Sequence, residues 1–153
     1  MLNTVLLFVV LFYVYPMKFM YSLALLYQQG LGVEHDDTAA IGWLQKAAVV
    51  GNIAAYLALG DMYRDGLGVA QDYEMARTTY EKALALGNVP ARIRLGLLYL
   101  DGLGVDSDRD KAKEYFQQAY AEGEPAGAFY MLQRCHHIAS RLSRTDARAA
   151  QRQ

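Results

Sequence analysis

The sequence predicts an all-α fold in which antiparallel helix pairs stack in a row, and two observations support this prediction. First, the glycine-rich pentapeptide DGLGV occurs at residues 65–69 and 101–105, and its variant QGLGV at residues 29–33, so the copies are 36 residues apart. Self-similarity with a fixed period of about 20 to 50 residues is typical of solenoids and other arrays. Second, no stretch between residues 17 and 139 shows the sustained apolar and polar alternation that is typical of strands.

The same period links many positions outside the pentapeptide. The matching sets include Gly30, Gly66 and Gly102; Gly32, Gly68 and Gly104; Tyr27, Tyr63 and Tyr99; Asp36, Asp72 and Asp108; Ala40, Ala76 and Ala112; Ala47, Ala83 and Ala119; and Gly51, Gly87 and Gly123. So many matches at one offset indicate repeats. We interpret each pentapeptide as the connector between two helices, with glycines at positive φ and with Leu67 and Val69 placed between the helices.

The first helix of each repeat, here called the A helix, is predicted from residues 52–64 of the second copy. Ala55, Leu59 and Tyr63 recur at helical spacing and form one apolar stripe. Gly60 lies inside this helix, where glycine costs about 1 kcal/mol relative to alanine. We therefore expect another helix to approach closely at Gly60, and the equivalent residues Ala24 and Gly96 are also small.

The second helix, the B helix, is predicted to begin after Asp72. An aspartate there can accept hydrogen bonds from the first N–H groups of the helix, and Glu74 in the first turn suits the helix dipole. Gly87 supplies the left-handed residue that commonly ends a helix. The predicted buried face of this helix consists of Met75, Ala76, Thr79, Tyr80 and Ala83.

The pattern A-x-x-x-L-G-x-x-Y-x-x-G-x-G-V-x-x-D-x-x-x-A-x-x-x-x-x-K-A-x-x-x-G, matched by residues 55–87, resembles the Sel-one-like repeat, a relative of the tetratricopeptide repeat. Three such units cover residues 19–123, and a further helix follows to about residue 140. The units depart from the pattern at Ala24 and at Gln118, and the second repeat has Thr79 where the first has Trp43. The resemblance implies a right-handed superhelix of helix pairs that serves as a scaffold or adaptor for other proteins and is not an enzyme.

The N-terminal residues 1–15 contain no charged side chain. At about 1.5 Å per residue they are shorter than a hydrocarbon core of roughly 30 Å, but the apolar character resumes after Lys18, so a helix kinked at Pro16 could span it. We predict three segments: an apolar membrane-anchor helix over residues 1–17, the repeat solenoid with its C-terminal capping helix over 18–140, and a basic tail, frayed or disordered, over 141–153.

Two alternatives to the anchor remain open. A cleaved signal peptide could end at Ser22-Leu23-Ala24, although it would lack a basic n-region and its removal would delete most of the first A helix. The segment could also fold over its own first repeat. For an anchored chain, Lys18 favours a cytoplasmic solenoid, whereas the resemblance implies that such proteins are often exported. Between these, we favour an exported, periplasmic solenoid.

The composition and motifs give no support to several classes of function. The formal net charge is −1, from 15 basic and 16 acidic residues, so nucleic acid is not an expected partner. The glycine pattern lacks the G-K-[ST] ending of a phosphate loop, and the adjacent Cys135, His136 and His137 have no second cluster to complete a metal site. We expect no catalytic residue, metal, cofactor or small-molecule substrate.

A protein partner is expected instead, on the inner face that the A helices form. The candidate partner-binding residues lie in rows related by the repeat: Tyr56 and Arg92, Arg94, and Leu25, Asp61 and Leu97. Arg92 and Arg94 could bind a carboxylate, and Tyr56 could act as a rigid anchor. The alternative is that these residues form an ordinary solvated helix face.

The first A helix is apolar on every side over residues 19–27, so something must cover it. The N-terminal segment could do so, and so could another membrane protein. We therefore predict a non-catalytic, membrane-anchored scaffold or adaptor whose partner is a membrane protein or complex. The alternative is a small accessory subunit permanently built into a larger membrane protein complex.

Overall fold

A computed structural model describes residues 16–132, in which helices are joined by short turns. Six helices with defined bounds lie in this range, and the first turns of a further helix follow over residues 126–132. Their bounds are α1 Pro16–Gln29, α2 Asp37–Val49, α3 Ile53–Asp65, α4 Tyr73–Ala85, α5 Pro90–Asp101 and α6 Arg109–Ala121. The structure has no strand in this range, so the predicted all-α fold is confirmed.

Each helix packs against the next one along the chain, so three A helices (α1, α3 and α5) alternate with three B helices (α2, α4 and α6). The turns lie at two opposite edges, because consecutive helices run antiparallel. One edge, here the pentapeptide edge, carries the turns over residues 30–36, 66–72 and 102–108. The other, the return edge, carries the turns over residues 50–52, 86–89 and 122–125. The chain enters α1 at this return edge.

The described range excludes residues 1–15 and 133–153. The predicted anchor, apart from residues 16 and 17, therefore lies outside it, as do the end of the predicted capping helix and the basic tail. No helix between residues 16 and 132 has both the length and the apolar character needed to cross a membrane.

The predicted helix boundaries follow from caps that the structure shows. The Asp72 side chain accepts a hydrogen bond from the Met75 N–H at 2.8 Å and caps α4. Gly66 ends α3 in the left-handed conformation at φ +69°, and Gly87 has φ +89° just after α4. These conformations are easily reached only by glycine, which explains why the pentapeptide recurs.

Two details of the predicted packing are wrong. Leu67 does not lie between the helices, because 37% of it is exposed; only Val69 packs against the core. Met75 is 46% exposed, whereas Ala76, Thr79, Tyr80 and Ala83 are buried as predicted. The buried stripe of α4 follows residues three and four apart, and Met75 lies at the rim of that stripe.

The close approach predicted at Gly60 is confirmed. A Cβ atom added there would lie 2.3 Å from Cε1 of Tyr80, so the ring of the paired B helix occupies the space of a side chain. Gly96 meets Phe116 in the same way in the third repeat. In the first repeat the positions are Ala24 and Leu44. A glycine on the A helix thus goes with an aromatic ring on the B helix, and an alanine goes with the smaller leucine. This matching of volumes keeps the interior closely packed.

Packing between repeats depends on another small position, at the start of each A helix. Ala55 and Ala91 are fully buried there, and a Cβ on the equivalent Gly127 would lie 2.4 Å from the Phe116 carbonyl oxygen of the preceding B helix. In the first repeat this position is Phe19, which is 56% exposed. The first A helix therefore differs from the others at the position where a preceding repeat would pack.

Candidate interaction surface

The structure places the six candidate residues on the A helices, all partly buried. Leu25 lies on α1, Tyr56 and Asp61 lie on α3, and the other three lie on α5: Arg92, Arg94 and Leu97. Two of them, Asp61 and Arg94, contact each other across neighbouring repeats.

The Asp61 carboxylate is the centre of a polar network that joins three helices. Its Oδ1 accepts hydrogen bonds from Nε of Arg94 at 2.8 Å and from the Tyr80 hydroxyl at 2.7 Å. Nη1 of Arg64, one turn further along α3, lies 3.1 Å from the same oxygen. Nη2 of Arg94 adds a longer contact of 3.4 Å to Oδ2. The second and third repeats are therefore held together by a charged group as well as by apolar packing.

The network balances its charges. Arg64 also donates two hydrogen bonds of 2.7 Å to Asp65, and this pairing holds the pKa of Asp65 below its usual range. Burial, followed by the hydrogen bond to Asp61, raises the pKa of Tyr80 well above its ordinary value, so its hydroxyl stays protonated and donates. Two aspartates thus face two arginines, and the tyrosine contributes no charge.

Arg92 forms a separate pairing within the third repeat. Its Nη2 and Nε donate to the two carboxylate oxygens of Glu122 at 2.6 Å and 3.0 Å, and its Nη1 donates to Oε1 of Gln118 at 2.8 Å. This two-pronged geometry is the strong arrangement for an arginine and a carboxylate. Arg92 and Arg94 therefore do bind carboxylates, but these are the side chains of Glu122 and Asp61 in the same chain.

The apolar candidates contribute to the core with part of their surface. Tyr56 packs against the buried clusters of both the first and the second repeat. Leu97 packs against the cluster of the third repeat. Leu25 occupies, on α1, the position that Asp61 and Leu97 occupy on the other two A helices.

Several partners of these residues were missed by the sequence analysis. Tyr80 and Arg64 complete the Asp61 network, while Gln118 and Glu122 hold Arg92. A groove of about 330 Å³ adjoins the latter pairing, and its lining also includes residues of α4 and α6: Leu84, Lys111, Glu114 and Tyr115. The repeat period gives no signal for these contacts, because it relates equivalent residues instead of touching ones.

The polar groups of this surface are occupied by one another. The Asp61 and Glu122 carboxylates accept hydrogen bonds from arginines, and the Tyr80 hydroxyl, whose pKa is raised by burial, donates to Asp61. Among residues 16–132, no group of three or more His, Cys, Asp or Glu side chains could hold a metal ion. Cys135, His136 and His137 lie outside the described residues.

This architecture defines the class of protein: an α-solenoid of short helix-pair repeats with mixed polar and apolar side chains on its A helices. The family model of the Sel1 repeat matches residues 18–48, 53–88 and 89–124, and the chain therefore belongs to the Sel1 repeat family. The resemblance seen in the sequence is confirmed. Sel1 repeat proteins are in general non-catalytic scaffolds that bind other proteins.

Three solved structures show the same fold. The protective antigen c5321 of uropathogenic Escherichia coli, which displays an SLR fold, matches 74% of this chain with a TM-score of 0.68 and 33% identity. A Sel1 repeat protein from Oxalobacter formigenes matches 72% with a TM-score of 0.65 and 28% identity. Cysteine rich protein B of Helicobacter pylori matches 60% with a TM-score of 0.54 and 26% identity.

The match covers 24% of the Escherichia coli chain, 46% of the Oxalobacter chain and 68% of the Helicobacter chain. The present chain thus spans about a quarter to a half of the length of the first two. Comparison with curated proteins by sequence found no match.

Proposed function

We propose that this chain is a membrane-anchored scaffold that binds a protein partner through its A helices, at Leu25, Tyr56, Asp61, Arg92, Arg94 and Leu97. The observation that carries the proposal is the Asp61–Arg94 pair, which fixes charged side chains of two repeats on one surface while leaving them partly exposed. The exposed fraction of the side chain is 28% for Asp61 and 33% for Arg94. Side chains that are already held in place lose less conformational entropy when a partner binds.

The geometry of Arg94 supports recognition of an acceptor group. A guanidinium offers five N–H donors, and the Asp61 carboxylate accepts hydrogen bonds from Nε and Nη2 of Arg94. The donors on Nη1 therefore remain for a carboxylate or carbonyl of the partner. Tyr56, on the preceding A helix, adds an amphipathic ring of the kind enriched at binding hot spots.

The anchor is the second part of the proposal. Residues 1–15 carry no charge, and Lys18 is the only charged residue among residues 2–27. A segment of this composition, joined directly to α1, is suited to hold the solenoid at a membrane. We place the solenoid on the exported, periplasmic side, and its partner is then a membrane protein or complex.

Crosslinking in intact membranes tests the scaffold function. A photo-reactive residue introduced at Tyr56 or Arg94 is expected to capture a specific protein, identified by mass spectrometry. Lys113, an exposed residue of the B helix α6, is the matched control position and should not capture it. If the A-helix positions capture nothing beyond what position 113 captures, the proposed binding surface is wrong.

A second candidate function is that of an accessory subunit permanently built into a membrane complex. The exposed apolar residues of α1 favour it, since Phe19 is 56% and Leu26 is 38% exposed. Size-exclusion chromatography of the chain alone in detergent separates the two candidates. A scaffold should elute as one folded species, whereas an obligate subunit should aggregate through α1.

A further inference from the structure

The two edges of the solenoid differ in chemistry. The pentapeptide edge is acidic, with aspartates in every turn or at the helix end beside it: Asp36, Asp37, Asp65, Asp72, Asp106 and Asp108. Arg64, Arg109 and Lys111 are the basic residues beside them. Because most of these aspartates are exposed, this edge carries a net negative charge.

The return edge presents exposed aliphatic side chains in the first two repeats. Val49 ends α2 and is 85% exposed, Val50 is 38% exposed, and Ile53 begins α3 and is 38% exposed. Leu86, which caps α4 at the position equivalent to Val50, is 49% exposed. Four aliphatic residues are thus exposed at the ends of three consecutive helices, here called the apolar strip, and exposed apolar residues grouped at one edge are typical of an interaction site.

The third repeat differs at the positions of these aliphatic residues, although Tyr120 in the last turn of α6 is 56% exposed. In the third repeat, Glu122 takes the position of Val50 and Leu86, and Pro125 takes that of Ile53. Residue 16, where α1 begins, lies at the same return edge and follows the uncharged residues 1–15. The apolar strip is therefore adjacent to the point at which the proposed anchor joins the fold.

Two exposed lysines accompany the strip. Lys46 lies in the last turn of α2, with its Nζ 4.2 Å from the centroid of the Trp43 ring, and Lys82 lies at the equivalent position in α4. Lysine side chains beside apolar residues are typical of surfaces that contact anionic lipid headgroups, because the stem stays in the apolar region while the ammonium reaches the phosphates.

We infer that the return edge of the first two repeats rests on the surface of an anionic bilayer. This inference depends on the proposed anchor, which holds this edge at the membrane. Val49, Val50, Ile53 and Leu86 then bury their side chains among the headgroups, and Lys46 and Lys82 contact lipid phosphates. The acidic pentapeptide edge faces away, since a negative surface repels it.

Fluorescence quenching in lipid nanodiscs tests the inference with the full chain. In a Cys135→Ser background, single cysteines at position 50 or 86 are labelled with an environment-sensitive dye, and position 67 on the pentapeptide edge is the control. Val50 and Leu67 are almost equally exposed, at 38% and 37%. In nanodiscs of phosphatidylcholine with phosphatidylglycerol, labels at 50 and 86 should be quenched by spin-labelled lipid, and the label at 67 by aqueous iodide.

Variants test which side chains are responsible. Val50→Glu and Leu86→Glu introduce the residue type that the third repeat has at Glu122, and circular dichroism of each variant checks that the fold is kept. With the dye at position 53, these two changes together should reduce quenching by lipid severalfold, and Lys46→Gln with Lys82→Gln should reduce it in anionic nanodiscs. Leu67→Glu, on the opposite edge, should have no effect.

Each other outcome overturns the inference in a distinguishable way. If the chain does not remain with the nanodiscs during flotation, the anchor and the inference both fail. If it remains but labels at 50 and 86 are quenched by iodide and not by lipid, the edge faces water and only the inference fails. If those labels are shielded from both quenchers, protein covers the edge, and the inference again fails while the anchor stands.

Discussion

Substitution of Gly60 by alanine tests the packing inside a repeat. The added Cβ would lie 2.3 Å from Cε1 and 2.5 Å from Cδ1 of Tyr80, whereas ordinary contacts begin at 3.4 Å. The ring would therefore have to retreat by about 1 Å. It is fully buried, and its hydroxyl donates a 2.7 Å hydrogen bond to Asp61, so it cannot move without cost.

Two opposing effects determine the magnitude. Forcing extra volume into a packed core typically costs about 1–3 kcal/mol, while replacing glycine by alanine inside a helix gains about 1 kcal/mol. Gly42 provides the matched control, since it lies inside α2 and an added Cβ would meet nothing within 4 Å. We expect Gly42→Ala to stabilise the chain by up to about 1 kcal/mol, and Gly60→Ala to be about 1–3 kcal/mol less favourable than this control.

A second background makes the test specific to the Tyr80 ring. Tyr80→Leu recreates, together with Gly60→Ala, the pair Ala24 and Leu44 of the first repeat. In the Tyr80→Leu background, Gly60→Ala should be as favourable as Gly42→Ala, which corresponds to a coupling of about 1–3 kcal/mol between the two sites.

Urea denaturation followed by circular dichroism gives the free energy of unfolding of each variant in the same detergent. The packing argument is refuted if Gly60→Ala has the same effect in both backgrounds. It is also refuted if Gly60→Ala is as favourable as Gly42→Ala with Tyr80 present.

Three further predictions concern the polar network and the turns. Asp61→Leu alone should lower the free energy of unfolding by about 1–2 kcal/mol, because it leaves the partly exposed Arg94 without its carboxylate. In a double-mutant denaturation cycle, adding Arg94→Ala should recover part of this loss. A fully additive result would contradict the pairing. Burial raises the pKa of Tyr80, so the unfolded chain loses this proton first as pH rises. The free energy of unfolding should therefore fall above about pH 10, and Tyr80→Phe should remove that part of the slope in denaturation curves measured against pH. Gly68→Ala should cost at least twice as much stability as Gly32→Ala in thermal denaturation. Both glycines have positive φ, but only a Cβ at Gly68 would clash with the backbone of the preceding B helix, at 2.4 Å. Equal losses of stability would show that φ alone matters.

Much of the fold can be predicted from the sequence, because the same turn, cap and packing residues recur at equivalent positions of the repeats. The positive φ of Gly66 and the cap at Asp72 depend on local backbone chemistry, which spacing alone reveals. The close approach at Gly60 is also predictable, since a glycine inside a helix needs a compensating gain. The exposure of Leu67 and Met75 was not predictable, because it depends on where neighbouring helices end.

The candidate surface was predictable only in part. The repeat period assigns Asp61 and Arg94 to different rows, yet their side chains touch across neighbouring repeats. Such contacts depend on how side chains interdigitate between helices, which a single sequence does not display. The same is true of Arg92 and Glu122, which meet across antiparallel helices of one repeat.

The small residue at the start of each A helix gives the array a direction of growth. Residues 53–88 carry Ala55 at the front and end with a B helix that accepts Ala91, so tandem duplication of this unit would leave every junction filled as before. The first unit cannot be multiplied in the same way, because a second copy would drive the Phe19 ring into the B helix ahead of it. Gene duplication could therefore lengthen this protein from its middle, whereas duplication of the first unit would also need a smaller residue in place of Phe19 at the new junction.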